Sequence, residues 1–230
     1  MVLNKKYRDK HKTILVSNVR HCNAINLYVQ TAFSRHGGRL FCGKTMLKPT
    51  MILDKQDIDR TLTRIAHEIW ERNRGAENFV LIGIRRRGAT IAKRLSEKLY
   101  GFAGVSIPVG ALDINLYRDD LSEIASQPVI KKTEIPFSVK GKKIILCDDV
   151  LYTGRTVRAA MDGIIDMGRP QSIRLAVLLD RGHRDLPIQP NYVGKTISTT
   201  REELVEVMLE EDDGTDQVVI TGNPPNGTAA

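Results

Sequence analysis

The chain has 230 residues, 41% of them hydrophobic, and carries a formal net charge of +8. That length suits one sizeable core in a single domain, two at most. No apolar run approaches the roughly 18 residues of a membrane span, and no secretory h-region opens the chain. Cys22, Cys42 and Cys147 lack CxxC spacing, so no disulfide framework or zinc site is expected and the protein reads as soluble and cytoplasmic.

The basic charge lies at one end. Residues 1–48 hold ten Lys and Arg against a single acid, Asp9, whereas the remaining 182 residues hold 25 basic and 26 acidic side chains. A nucleic-acid surface on the rest of the chain must therefore come from local clustering. The first 48 residues show no sustained helical or strand period. They fit a basic RNA-binding arm, an organelle-targeting segment, or upstream sequence translated from an early start codon, with Met46 and Met51 as later starts. The folded domain is assigned to 49–221, with a disordered tail at 222–230.

From Asp54 the pattern is regular. Asp54 caps a helix with Ile58, Leu62, Ile65, Ile69 and Trp70 on one stripe, ending near Gly75, and with Arg60, Thr63, Arg64 and His67 on its polar face. Phe79–Ile84 reads as a buried strand. A loop, Arg85-Arg86-Arg87-Gly88, leads to a second helix that buries Ile91, Ala92, Leu95 and Leu99. Val105 to Tyr117 reads as strand. The polar stretch from Arg118 to Gly141 is long for a connection within a compact domain, as lids and binding loops are.

Lys143 to Cys147 is a further buried strand. It is followed by a helix from about Thr156 to Met167, a strand from Ser172 to Asp180, and short strands near Tyr192 and Leu204 to Leu209. Strands alternating with helices imply an α/β fold with a mostly parallel sheet flanked by helices.

The chemistry concentrates in Ile144 to Arg158. A buried strand delivers Asp148 and Asp149 to its C-terminal edge, where open α/β sheets place their ligands. Adjacent carboxylates are costly alone, but sugar hydroxyls or a hydrated divalent cation satisfy them. Thr153-Gly154-Arg155-Thr156 then opens a helix, whose unpaired N–H groups, hydroxyls and positive end suit a phosphate, with Gly154 allowing close approach. Carboxylates for a diol beside a phosphate cradle describe a receptor for ribose 5-phosphate.

The segment Asp148-Asp149-Val150-Leu151-Tyr152-Thr153-Gly154-Arg155-Thr156 resembles the signature of type I phosphoribosyltransferases, in the form found in the PyrR family. Leu62 to Glu68, Leu116 to Leu121 and Asp180 to Arg184 extend the resemblance, which runs from about Asp54 to Val219 and excludes residues 1–48. It implies the type I fold with a small hood region and transfer of a phosphoribosyl group from 5-phosphoribosyl 1-pyrophosphate (PRPP) to uracil. Magnesium would be held through substrate and water, with no direct protein ligand.

By the resemblance, Asp148 and Asp149 are catalytic and bind the ribose, and Val150 to Thr156 complete the PRPP site. Arg86 and Arg87 sit in the pyrophosphate loop, although the family form has Thr where this chain has Arg86. Arg118 and Lys131 belong to the lid, and Asp180 and Arg181 to the uracil-binding segment. The chemistry implied is displacement of pyrophosphate at the anomeric carbon, without a covalent nucleophile.

The resemblance also implies a homo-oligomeric regulator that attenuates transcription by binding pyrimidine-operon leader RNA in response to uridine nucleotides. Thr63, Arg64, His67, Arg184 and Lys195 are the residues so implicated, while Gln189 replaces a basic residue of the family pattern. The alternative is a phosphoribosyltransferase of another base specificity without RNA regulation.

Overall fold

A computed structural model describes residues 49–75, 79–114 and 133–222. The basic segment 1–48, the expected lid residues Arg118 and Lys131, and the tail from 223 lie outside the described residues.

The first elements are β1 (Thr50–Leu53) and α1 (Lys55–Asn73). Asp54 caps α1 by a reciprocal capping box: its carboxylate accepts from the Asp57 N–H at 2.8 Å, and Asp57 accepts from the Asp54 N–H. Ile58, Leu62, Ile65, Ala66 and Ile69 form the buried stripe, with Trp70 half-buried beside it. The helix closes on Arg74 and Gly75, both at positive φ.

There follow β2 (Phe79–Ile84), α2 (Arg87–Ala103), β3 (Val109–Leu112), β4 (Lys143–Leu151), α3 (Arg155–Met167), β5 (Ser172–Asp180) and β6 (Tyr192–Thr196). The five strands make one parallel sheet in the order β3-β2-β4-β5-β6. The central strands are covered on both faces, and their residues divide by parity. Leu81, Ile145, Cys147, Ala176 and Leu178 share a core with α1 and α2, while Val80, Ile82, Ile144, Leu146 and Val177 share another with α3. Each fully buried Leu or Ile contributes about 1.5–3 kcal/mol of transfer free energy. The alternating apolar pattern therefore fixes which side of the sheet each helix covers.

The remaining elements are β7 (Leu204–Met208), α4 (Glu210–Asp213) and β8 (Gln217–Thr221). Strands β1, β8 and β7 form a separate antiparallel sheet. This is the hood, and Leu53, Val207, Leu209 and Val218 join it to the α1/α2 core.

Two expectations change. Of the strand anticipated over Val105–Tyr117, the described residues to 114 form strand at Val109–Leu112, which starts after Pro108, a residue with no N–H to give a ladder, and residues 115–117 lie outside the described residues. The polar stretch assigned to a lid ends earlier than Gly141. Glu134 exchanges two 2.8 Å backbone hydrogen bonds with Ala111, Phe137 packs on the α3-side core, and Val139 is buried. Among the described residues, no helix is long and apolar enough to cross a membrane.

Candidate active site

Strand β4 runs on through the acidic pair to Leu151, so alternation sends the two carboxylates to opposite faces. Asp148 has the parity of Ile144 and Leu146, towards α3, and is 6% exposed. Asp149 has the parity of Ile145 and Cys147, towards α2 and Arg87. Burial, reinforced by the charge of Asp149, raises the Asp148 pKa well above the ordinary carboxylate range. Burial also raises Asp149, against the opposing effects of the Val150 N–H, which donates to it at 2.9 Å, and of Arg87. Cys147, buried one residue earlier, has its thiol pushed up and serves as core.

Asp148 and Val150–Val157 line a cleft of about 300 Å³. Gly154 stands at φ +92°, where a side chain is strained, and closes against Ile188 and Leu186. Its carbonyl accepts from the Arg158 N–H to start α3, so the helix N-terminus opens beside Asp148. The next loop supports this turn: the N–H groups of Asp185 and Leu186 both donate to Thr153 O, at 3.0 and 3.1 Å.

The β2–α2 loop packs tightly on β4. A Cβ on Gly83 would lie 2.2 Å from Gly88 O, and one on Gly88 would lie 2.5 Å from Cys147 O. Arg86 is exposed at the start of α2, and its peptide bond to Arg85 is cis. Arg87, expected with it at the pyrophosphate, is held by a bidentate pair to Asp213 of the hood at 2.9 and 3.0 Å. That hydrogen bonding raises the guanidinium pKa and lowers that of Asp213. The same acidic turn holds Thr90 through Asp212, and Arg94 through Glu211 and Asp216. Sequence alone assigns these acids no role. The run Glu210 to Asp213 was visible, but nothing local shows that it faces α2.

A second hollow of about 420 Å³ is lined by Asp180 to Arg184, Gln189 and Thr196 to Thr199. Asp180 accepts from the Gly182 N–H and from Arg184. Arg181 is 7% exposed, donates through Nη2 to Thr200 O and Glu203 O at 2.9 Å each, and lies 4.2 Å over the Tyr152 ring. Tyr152 lines the first cleft and Arg181 the second, so the two are neighbours across this stack. Thr196 to Thr199 enter the site only through the fold, since β6 leads them to the end of β5.

The residues expected at an RNA face divide. Thr63 donates to Asp59 O within α1, and Arg64 donates to Val193 O at 2.8 Å and Gly194 O at 2.5 Å on the edge strand β6. His67 is exposed and stacks on Phe102, with centroids 4.0 Å apart. Lys195, exposed and next to the carbonyls that hold Arg64, reaches Ile52 O at 3.3 Å. Arg184 instead folds back across the ends of β4 and β5, donating to Ile188 O, Tyr152 O, Gly182 O and Asp180.

Residues 49–212 match the phosphoribosyl transferase domain family. The bifunctional protein PyrR of Pelotomaculum thermopropionicum is 60% identical over 169 residues, covering 74% of this chain and 93% of that protein. Its counterpart in Deinococcus radiodurans is 59% identical over 167 residues, covering 73% and 91%. Among solved structures, a hypoxanthine phosphoribosyltransferase of Staphylococcus aureus aligns with a TM-score of 0.56 at 20% identity, covering 77% of this chain and 93% of that one. That of Trypanosoma cruzi aligns at 0.58 and 17%, covering 76% and 97%. At such identities these structures share the fold alone. The chain belongs to the phosphoribosyltransferase family and, within it, to the bifunctional PyrR proteins.

Proposed function

We propose that the protein transfers the phosphoribosyl group of PRPP to uracil, forming UMP and pyrophosphate, and regulates pyrimidine genes by binding their leader RNA in response to uridine nucleotides. The observation that carries the catalytic half is the pair of adjoining hollows meeting at Tyr152, with a buried carboxylate in one and peptide and arginine donors in the other. A ribose phosphate fits the first: Asp148 accepts from a ring hydroxyl, and the 5-phosphate meets the N–H groups at Thr153 to Thr156. The base fits the second, and the pyrophosphate the loop at Arg86 and Arg87. The C1′–oxygen bond to pyrophosphate breaks as the uracil N1–C1′ bond forms, and the N1 proton leaves. Asp148 and Asp149 offset positive charge developing on the sugar.

Among the described residues, no group of three or more His, Cys, Asp or Glu side chains is placed to hold a metal. Asp148 and Asp149 would suit magnesium brought in with the substrate, and that ion would supply neutralisation of charge on the leaving group. Burial raises both carboxylate pKa values, so each ionises more readily when such partners arrive.

Purified protein given uracil, PRPP and magnesium should form UMP. Absence of UMP, or equal turnover of hypoxanthine or orotate, refutes the uracil assignment. The exposed α1 and β6 residues Arg64, His67 and Lys195 support the regulatory half. A labelled pyrimidine-operon leader should bind tightly with UMP present and less tightly to Arg64→Ala/His67→Ala, and unchanged binding removes that surface. A cytoplasmic homo-oligomer is the state in which we expect both activities.

A further inference from the structure

We infer that Thr199, in the loop after β6, is a specificity-determining residue whose hydroxyl reads the polar edge of the pyrimidine alongside Arg181. The inference rests on the assignment of the base to the hollow between Asp180 and Thr199.

Thr199 Oγ1 and Arg181 Nε are buried in the protein and have no hydrogen-bond partner, although both residues line this hollow. Buried polar atoms are paired in the great majority of cases, because leaving one unpaired costs about 1–3 kcal/mol. Both atoms lie just beneath the lining of one hollow, where a small side-chain rotation brings them to a polar ligand.

Their positions are fixed by the protein rather than by the ligand. His183 Nε2 donates to Thr199 O at 2.5 Å, Arg181 Nη2 donates to Thr200 O at 2.9 Å, and the Thr200 N–H donates to the Glu203 carboxylate at 2.7 Å. Thr199 is thus pinned at its own carbonyl and through the next residue. The guanidinium is held by two carbonyls and stacked on Tyr152. Neither group pays much ordering entropy when the base arrives.

The donor pattern selects the base. Arg181 Nε–H only donates, so it pairs with a carbonyl of uracil and opposes the exocyclic amino group of cytosine. A threonine hydroxyl accepts as well as donates, so Oγ1 takes the uracil N3–H next to that carbonyl. A hydroxyl alone would not separate the two bases; beside a fixed donor it favours uracil.

The test is steady-state kinetics on Thr199→Val and Thr199→Ser, beside the wild-type protein. The Val variant keeps the shape and loses the hydroxyl. Its KM for uracil should rise roughly tenfold, as expected for stranding one polar group, while KM for PRPP and kcat stay within about twofold. Ser keeps the hydroxyl and should hold KM for uracil near the wild-type value. The inference is overturned if Val leaves KM for uracil unchanged, if Ser raises it as much as Val, or if Val weakens uracil and PRPP alike with a lowered Tm, the signature of a structural role. A wild-type protein that makes no UMP would instead refute the base assignment itself.

Discussion

Gly88→Ala should damage folding and catalysis together, because Gly88 is where α2 rests on the acidic strand. A Cβ there would lie 2.5 Å from Cys147 O, 3.2 Å from Asp148 Cα and 3.3 Å from Cys147 C, all backbone atoms. Ordinary contact begins at 3.4 Å, so helix and strand must part by about 0.9 Å at the closest pair. Strand β4 is held between β2 and β5 and cannot easily yield, so the first turn of α2 moves. That turn carries Arg87 and the end of the Arg85–Arg86 loop.

Overpacking of this kind costs about 1–3 kcal/mol, and each kcal/mol lowers Tm by about 2–4 °C for a domain of this size. A misplacement near 1 Å costs on the order of 10²-fold in rate. Thermal unfolding and kcat/KM for PRPP measure the two effects. Gly101→Ala is the control: it lies in the same helix with nothing within 4 Å, and should stabilise by about 0.5–1 kcal/mol without changing activity. If Gly88→Ala melts and turns over like wild type, the close packing of α2 on β4 does not position the site.

Two further predictions concern buried charge. Burial raises the Asp148 pKa, so the native state holds that proton more tightly than the unfolded chain. Stability should therefore fall as pH rises from the ordinary carboxylate range through the raised value. Asp148→Asn should then melt higher than wild type at pH 8, with a smaller gain at pH 5, while losing on the order of 10²-fold or more in kcat; a lower Tm at pH 8 would refute the sign. The acidic turn behaves oppositely. Hydrogen bonds from Arg94 and Arg87 lower the pKa values of Glu211 and Asp213; at Asp216 burial is the largest effect and raises the value, but the Arg94 bond, the Glu210 N–H and the Arg94 and Lys55 charges together lower it. Their stabilisation is present above the ordinary carboxylate range and lost as pH falls through the depressed values. Arg94→Met should cost about 2–3 kcal/mol in neutral denaturant titrations and flatten the acid limb, since Asp216 is left buried without its partner.

The legible parts of the fold were those governed by local periodicity. The α1 stripe, its Asp54 cap and the runs of β2, β4 and β5 follow from side chains whose burial repeats with the element's own period. Strands β1 and β8 were not read. Each is short, and β8 buries only Val218 and Val219 against partners distant in sequence, so its identity as strand comes from pairing rather than from pattern. In the site, the acidic strand end and the Gly154 turn were legible for the same local reason. The face each carboxylate takes depended on β4 continuing to Leu151, two residues beyond the pair.

The arginines show the limit most clearly, because a sequence places a guanidinium without naming its acceptor. Arg64, Arg87, Arg181 and Arg184 were all read towards ligands, and each meets a protein acceptor. Engagement alone does not remove an arginine from a site, since the group has five donors in a rigid fork. What matters is which donors remain. Arg184 uses Nε, Nη1 and Nη2 on four carbonyls and a carboxylate, which suits it to bracing the loop after β5 against the end of β4 more than to gripping a phosphate. Arg64 spends Nη2 on β6, while its exposed side chain keeps Nη1 only 3.8 Å from Glu68, a weak pair that an RNA phosphate can displace. Arg181 spends Nη2 on two carbonyls and keeps Nε buried beside the hollow proposed for the base. For an arginine held this way, most of the ordering cost is met in folding, so its anchoring in the protein strengthens its case as a reader of the base.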